Sequence, residues 1–323
     1  MTNKQISEAR VPRAVARDNA LDNATLAAYR EALRRYARKS WVSGVSIAMR
    51  ERGDELMTGE QLVIAIHVRK KIRTMSRVPK HRRIPRNIRG VPTDVVEASY
   101  QLTGGGGGSV TPAGGSPMLR PGASIARAGG SSATLGALVT DQSGASCLLC
   151  TAHTLREVQP FKKGEPIVHP GPKFIPTPAQ FATVARFHAT HLGLDAGIAR
   201  LEPNVTADNI ALLSNTVIGP PQVPVTGRIL EKSGARTQVT RAVVKSAIGT
   251  FEGLHPAFEL FSENADFIPI SEAGDSGAIW YDAQTGAAVG LHCRGSGVMP
   301  NGHSRAVATL VLSVLDKLKL TWV

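Results

Sequence analysis

The sequence predicts a mostly β chain with a small α+β region in front of it, and three observations carry that expectation. From residue 118 onward, short strand-like runs alternate with glycine and proline turns, the pattern of an all-β barrel or sandwich. The 323 residues include 32 glycines and 20 prolines, a supply suited to many tight turns. Helical periodicity is confined to one stretch near the beginning and to the last dozen residues.

Residues 23–41, NATLAAYREALRRYARKSW, place Leu26, Tyr29, Leu33 and Tyr36 at helical spacing, with Asn23 or Thr25 available as a cap. Two strand-like runs follow, GVSIAMRERG and QLVIAIHVRKKI. Residues 69–89 then hold ten Lys or Arg and no acid, and GVPTDVVEASY closes the region. These elements suggest a basic α+β domain over 1–102. Residues 103–117, TGGGGGSVTPAGGSP, read as a flexible tether. Over 118–323, TLGALVT, ASCLLCTA, LDAGIARL, RAVVKSAIG, GAIWYD and AAVGLHC are clear strand candidates. TLVLSVLDKLKL should form one terminal helix.

Hydrophobic residues make up 42%, enough for a sizeable core. The net charge of +13 is uneven, because the first 100 residues hold 21 Lys or Arg against 10 Asp or Glu. Whatever the basicity serves belongs to the front third. Three cysteines are too few for a disulfide framework, which points to a reducing compartment. The opening residues lack an apolar leader, and no run approaches the ~18 apolar residues of a membrane span. A cytoplasmic protein without membrane contact is therefore expected. Cys147 and Cys150 form a lone CxxC with no second ligand pair, so they read as buried small apolar residues; neither metal nor cofactor is expected.

The stretch SEAGDSGAIW (271–280) raises the question of chemistry. Gly274, Asp275, Ser276 and Gly277 could be an ordinary turn before a strand. They could equally seat a serine nucleophile, with flexible glycines aiming amides at a developing oxyanion. Such a serine needs a base in hydrogen-bond reach and an acid to fix the base's tautomer. His153 ends an apolar strand in CLLCTAHTL, and Asp195 opens a small-apolar strand in GLDAGIARL. Asp208 sits in a polar loop and suits exposure, while Asp266 lies close to the serine in sequence.

Together TAHT, LDAGIARL and GDSGAIW resemble the histidine, aspartate and serine motifs of the trypsin-like (chymotrypsin-fold) serine peptidases. The order is theirs, and intervals of 42 and 81 residues are of their size. The resemblance covers about 118–323 and implies a double six-stranded β-barrel with a C-terminal helix. It implies a triad of Ser276 as nucleophile, His153 as base then acid, and Asp195 as the orienting acid. The amides of Gly274 and Ser276 would form the oxyanion hole. No clean activation sequence is present in RPGASIARAGG, so Asp275 should have an internal partner. IAIHVRKK, RIPRNIRGVPTDVVEASY and LEKSGARTQVTRAVV are similar to a bacterial and plant subset, the narrow-leaf type, with an extra N-terminal domain.

The substrate implied is a protein or peptide. The same resemblance puts Ile270 at the base of the specificity pocket, His292 in its wall, and Arg294 and Gly295 beside the substrate backbone. With no acid at Ile270, cleavage after Arg or Lys is not expected, and an apolar or acidic P1 residue is. His292 has two readings, a ligand for a P1 carboxylate or a satisfied core histidine above an apolar pocket. A different class is suggested by Arg69, Lys70, Lys71, Arg82, Arg83 and Arg86, a basic patch that could bind nucleic acid or an acidic partner on a non-proteolytic scaffold. That run lacks interleaved aromatics, so base stacking is unsupported, and a solvated basic face is the plain alternative.

Overall fold

The computed structural model describes residues 11–52, 55–102, 118–157, 162–171 and 182–323. Its front carries helices α1 (Arg13–Asp18) and α2 (Asn23–Tyr36), then strands β1 (Val42–Ala48), β2 (Val63–Val68), β3 (Val91–Glu97) and β4 (Gln101–Leu102). Asp22, rather than Asn23 or Thr25, caps α2. Its backbone is still extended there, so its carboxylate can reach back to accept the Thr25 N–H at 2.7 Å. Ala28, Tyr29, Ala32, Leu33 and Tyr36 form the buried stripe of α2. They pack on Val45, Ile47, Ile64 and Ile66, and each large side chain so buried contributes roughly 1.5–3 kcal/mol.

The next region contains β5 (Ser124–Arg127), β6 (Ala133–Thr134), β7 (Ala137–Thr140), β8 (Ser146–Thr151), the short helix α3 (Ala152–Leu155), β9 (Pro166–His169), β10 (Ala182–His191) and β11 (Ala196–Leu201). The continuous run holding β6 and β7 pairs with β5 at one end and β8 at the other. With β9, β10 and β11 this closes a barrel of six chain runs. A second barrel follows: β12 (Ile229–Gly234), β13 (Gln238–Phe251), β14 (Leu254–Ser262), β15 (Ile279–Asp282), β16 (Ala288–Gly295) and β17 (Arg305–Leu310). Its order is β12-β15-β16-β17-β14-β13, and β13 pairs back on β12 to shut the ring. Helix α4 (Val311–Leu318) comes next, shorter than the periodicity predicts because residues 305–310 are strand. The last element, β18 (Thr321–Trp322), pairs with β7 of the first barrel.

The division drawn at residue 102 does not coincide with a division of the core. β1 pairs antiparallel with β13, from Gly44 opposite Phe251 to Ile47 opposite Ile248. The α2 stripe shares one apolar cluster with Leu230, Val244, Trp280 and Leu310 of the second barrel. Composition shifted at the glycine run, but the apolar faces on either side of it were complementary. The tether expected at 103–117 lies outside the described residues.

A buried ionic cluster rivets the same junction. Glu51 and Glu259 face Lys245 and Arg305, two carboxylates against two cations, with Lys245 and Glu259 wholly buried. Balanced charge is what makes such burial tolerable. Tyr100 donates to Glu259 at 2.6 Å and lies 3.0 Å from His67 Nδ1, while His67 Nε2 lies 3.0 Å from Ser46 Oγ. Burial, the largest influence, pulls the His67 pKa down to about 4, so the ring is neutral at pH 7.

Candidate active site

Between the barrels the structure brings His153, Asp195 and Ser276 together. His153 enters on α3, directly after β8. Asp195 sits in a left-handed turn (φ 49°) just before β11. Its carboxylate is fully engaged, accepting the His153 backbone N–H at 2.9 Å and His153 Nδ1–H at 2.7 Å. The other ring nitrogen, Nε2, lies 2.9 Å from Ser276 Oγ. With Nδ1 protonated toward Asp195, Nε2 presents its lone pair to the hydroxyl, which is the tautomer a general base needs.

The turns themselves are held across the barrel interface. Thr309 on β17 donates to the Leu194 carbonyl at 2.8 Å, tying the Asp195 turn to the second barrel. Thr134 on β6 does the converse: its N–H donates to the Ser276 carbonyl at 2.9 Å and its hydroxyl to the Gly274 carbonyl at 2.8 Å. This crossing needs Gly277, at φ +98°, because a Cβ there would sit 2.3 Å from the Thr134 carbonyl oxygen. The Asp275 N–H bonds the Glu272 carbonyl at 3.0 Å, and Gly274 has φ +119°. Those are the marks of a type II turn, which sets the direction of the Gly274 amide.

Asp275 has an internal partner. Its fully buried carboxylate meets the fully buried Lys232 ammonium at 3.2 Å. It also accepts from Thr237 Oγ1 at 2.6 Å and from the backbone amides of Arg236, Thr237 and Glu272 at 2.9–3.1 Å. Burial alone would raise the Asp275 pKa, yet Lys232 and these donors hold it below the usual carboxylate range. Burial likewise pulls the Lys232 ammonium down, against the pull of Asp275. Lys232, Thr237, Thr134 and Thr309 were invisible in the sequence, because each acts across a distance that no local motif spans.

The specificity residues are placed differently from the expectation. Ile270 is 4% exposed and belongs to the apolar core beside Trp280, so its flanking neighbours Pro269 and Ser271 line the cleft instead. His292 is wholly buried, its Nδ1 accepting from Trp280 Nε1 at 3.3 Å, and burial lowers its pKa to about 3. The ring is therefore neutral at pH 7, and the His292 carbonyl accepts the Gly277 N–H at 2.9 Å. The cleft of about 420 Å³ is lined by Gln101, Leu102, Ser271, Glu272 and Gly295 among others, and Ser271 Oγ in its wall has no hydrogen-bond partner among the described residues. Arg294 lies on β16 directly opposite Leu102. Asp208 is engaged by Arg120 at 3.2 Å and Asp266 caps the Ile268 amide, so neither serves His153.

Of the two other Ser–His side-chain contacts among the described residues, Ser46 with His67 is closed off, both residues being 0% exposed, and Ser262 Oγ lies 2.9 Å from Nδ1 of His303. Cys147 and Cys150 are both buried on β8, three apart in a strand and therefore on opposite faces. Among the described residues no cluster of three or more His, Cys, Asp or Glu could hold a metal ion. In the basic patch Arg69 is already committed, making a two-pronged ion pair with Glu252 at 2.7 and 2.8 Å. Lys70, Lys71, Arg82, Arg83 and Arg86 are exposed.

Two closed six-stranded barrels with a Ser–His–Asp arrangement between them define the chymotrypsin-like serine protease fold, and the chain has that fold. Solved structures similar to it include a glutamic-acid-specific serine protease at 20% identity and TM-score 0.47, covering 64% of this chain and 100% of that one. Nocardiopsis protease is 16% identical with TM-score 0.48, covering 63% of this chain and 97% of its own. Thermobifida fusca protease A is 17% identical with TM-score 0.49, covering 64% and 98%. No protein-family model and no curated protein sequence matches the chain.

Proposed function

We propose that this chain is a serine endopeptidase acting on protein or peptide substrates through Ser276, His153 and Asp195. The observation that carries the proposal is the continuous hydrogen-bonded line from Asp195 Oδ2 through both nitrogens of His153 to Ser276 Oγ, at 2.7 and 2.9 Å. In the reaction His153 takes the Ser276 proton as Oγ attacks the scissile carbonyl, and Asp195 stabilises the imidazolium formed. His153 then returns the proton to the leaving amine, and a water repeats the sequence on the acyl-enzyme. The amides of Gly274 and Ser276 would stabilise the oxyanion, each such donor being worth roughly 2.7–4 kcal/mol.

Cleavage after apolar rather than basic residues is the specificity this cleft supports. Its one carboxylate among the described residues, Glu272, is bonded by Arg236 at 2.8 Å, and Pro269, Ala273 and Val298 supply apolar wall. An acidic P1 residue is the alternative, and with His292 buried and neutral it would draw on a hydrogen bond from the imidazole rather than on an ion pair. Reduced, buried cysteines support a cytoplasmic site of action. Labelling by a fluorophosphonate probe tests the reading: wild-type protein should react and Ser276→Ala should not. No labelling of the wild type would leave the second reading, a polyanion-binding scaffold. That reading draws on a groove of about 230 Å³ where Trp41, Val68 and Ile84 are rimmed by Lys70, Lys71 and Arg83.

A further inference from the structure

Strand β16 runs beside the nucleophile, and its two edges are covered unequally. On one edge β17 pairs along Gly290 to Gly295. On the other, β15 covers only Ala288 to Leu291, then gives way upstream to the nucleophile turn, where the Gly277 N–H donates to the His292 carbonyl. Beyond His292 that edge is filled by β4, with Leu102 opposite Arg294 and Gln101 opposite Gly295. Both β15 and β4 run antiparallel to β16, so β4 points along the edge toward His292 and Ser276.

We infer that Gln101–Leu102 occupies the edge on which a peptide must lay its backbone to reach Ser276, and that the chain thereby restrains its own activity. The inference rests on the serine endopeptidase reading. Adding a strand to an exposed sheet edge is a general mode of peptide recognition, carried by main-chain hydrogen bonds that any sequence can supply. A segment of the same chain already there competes with every substrate. Gln101 and Leu102 line the cleft that a substrate side chain would enter, together with Ser271, Glu272 and Ala273 of the segment leading into Ser276.

The strand is held by its root rather than by its own contacts. Tyr100, one residue upstream, is 3% exposed and bonded to Glu259 and His67, and Ser43 Oγ holds the Ala98 carbonyl at 2.6 Å. Leu102 itself is 46% exposed. Two strand residues with little side-chain burial bind weakly alone, yet tethering to a fixed anchor gives them a high effective concentration. Such a competitor restrains weak substrates and yields to long ones that pair along the whole edge.

The test is a full-length Gln101→Pro/Leu102→Pro double variant, which removes both backbone N–H groups of β4, the one facing β16 included, at exposed positions. If β4 fills the edge 80–90% of the time, KM for an extended peptide should fall roughly 5- to 10-fold with kcat little changed. A Gln101→Gly/Leu102→Gly variant should move in the same direction by less, and an acetylated ASYQL amide should competitively inhibit the proline variant. Fluorophosphonate labelling at Ser276 runs in parallel. Failure of every form to label defeats the endopeptidase reading itself. Normal labelling with unchanged or raised KM in both variants overturns the self-restraint and leaves β4 as a wall of the cleft.

Discussion

Replacing Lys232 by methionine should cripple this protein more than its distance from the reacting atoms suggests. The substitution keeps volume and removes one charge from a pair with no solvent exposure on either side. Breaking a buried ion pair by deleting one partner costs about 3–5 kcal/mol, because the other charge is left unpaired in a poorly solvating interior. Asp275 would retain four donors, Thr237 Oγ1 and three backbone amides, which places the loss near the low end, at ~3 kcal/mol. Denaturant unfolding should therefore show a loss of about two powers of ten in the folding constant. Because the Asp275 carboxylate also orders residues 272–276, the labelling rate of Ser276 should drop at least tenfold. Without Lys232 the burial of Asp275 pushes its pKa up, so the penalty should shrink as pH falls and the carboxyl becomes neutral. Lys232→Met/Asp275→Asn should be less destabilised than Lys232→Met alone, since no charge is stranded. A single variant within 1 kcal/mol of wild type, labelling at the normal rate, would refute the assignment of Lys232 as the support of the nucleophile turn.

Other expectations follow from the same structure. Alanine at Ser276, His153 or Asp195 should abolish peptide hydrolysis while leaving unfolding midpoints nearly unchanged, and the double variants should lose no more than the singles; loss of turnover in Asp208→Ala instead of Asp195→Ala would contradict the geometry. Gly274→Ala should lower kcat by about 10²-fold through a misdirected amide, measured by steady-state peptide hydrolysis. His67 is neutral when folded and binds a proton near pH 6.5 when unfolded, so unfolded chains take up the proton first as pH falls. Stability should thus decline between pH 6.5 and about 4, by roughly 3 kcal/mol from this group, visible as falling denaturant midpoints. A fragment spanning 118–323 should aggregate on expression, because it strands Lys245 and Arg305 without Glu51 and bares the β13 edge; a soluble, cooperatively unfolding fragment would count against the shared core.

Much of the second half of the fold was legible in the sequence because its strands are short, alternating and cleanly punctuated. The three motif residues were legible too, since each sits where a strand meets a turn and carries a side chain with few other uses there. What was hidden shares one physical cause, dependence on partners far along the chain. Thr134 and Gly274 are 140 residues apart, and Thr309 and Leu194 are 115 apart. Nothing local distinguishes Lys232 from a surface lysine, although it is fully buried. Ile270 and His292 were assigned by offset from a motif, and offset does not say which face of a loop or strand a side chain takes. The separate N-terminal domain was inferred from a change in composition, which marks a change of chain character rather than the limit of a core.

The pairing of β18 with β7, and of β1 with β13, gives the molecule a clasp at each end. The final strand is seated in the first barrel, and the opening strand in the second. Each ring closes on its own strands, yet each carries a further pairing supplied from the far side of the chain. Contacts of such long sequence separation are slow to form, since loop closure must precede their reward. Residues 321 and 322 reach β7 from far beyond β11, the last strand of the first barrel's own ring. The groups around Ser276, which require both barrels in register, come together only when the whole described chain is available. On the endopeptidase reading proposed above, such wiring would keep Ser276 apart from its partners for as long as the chain's own unfolded segments are exposed.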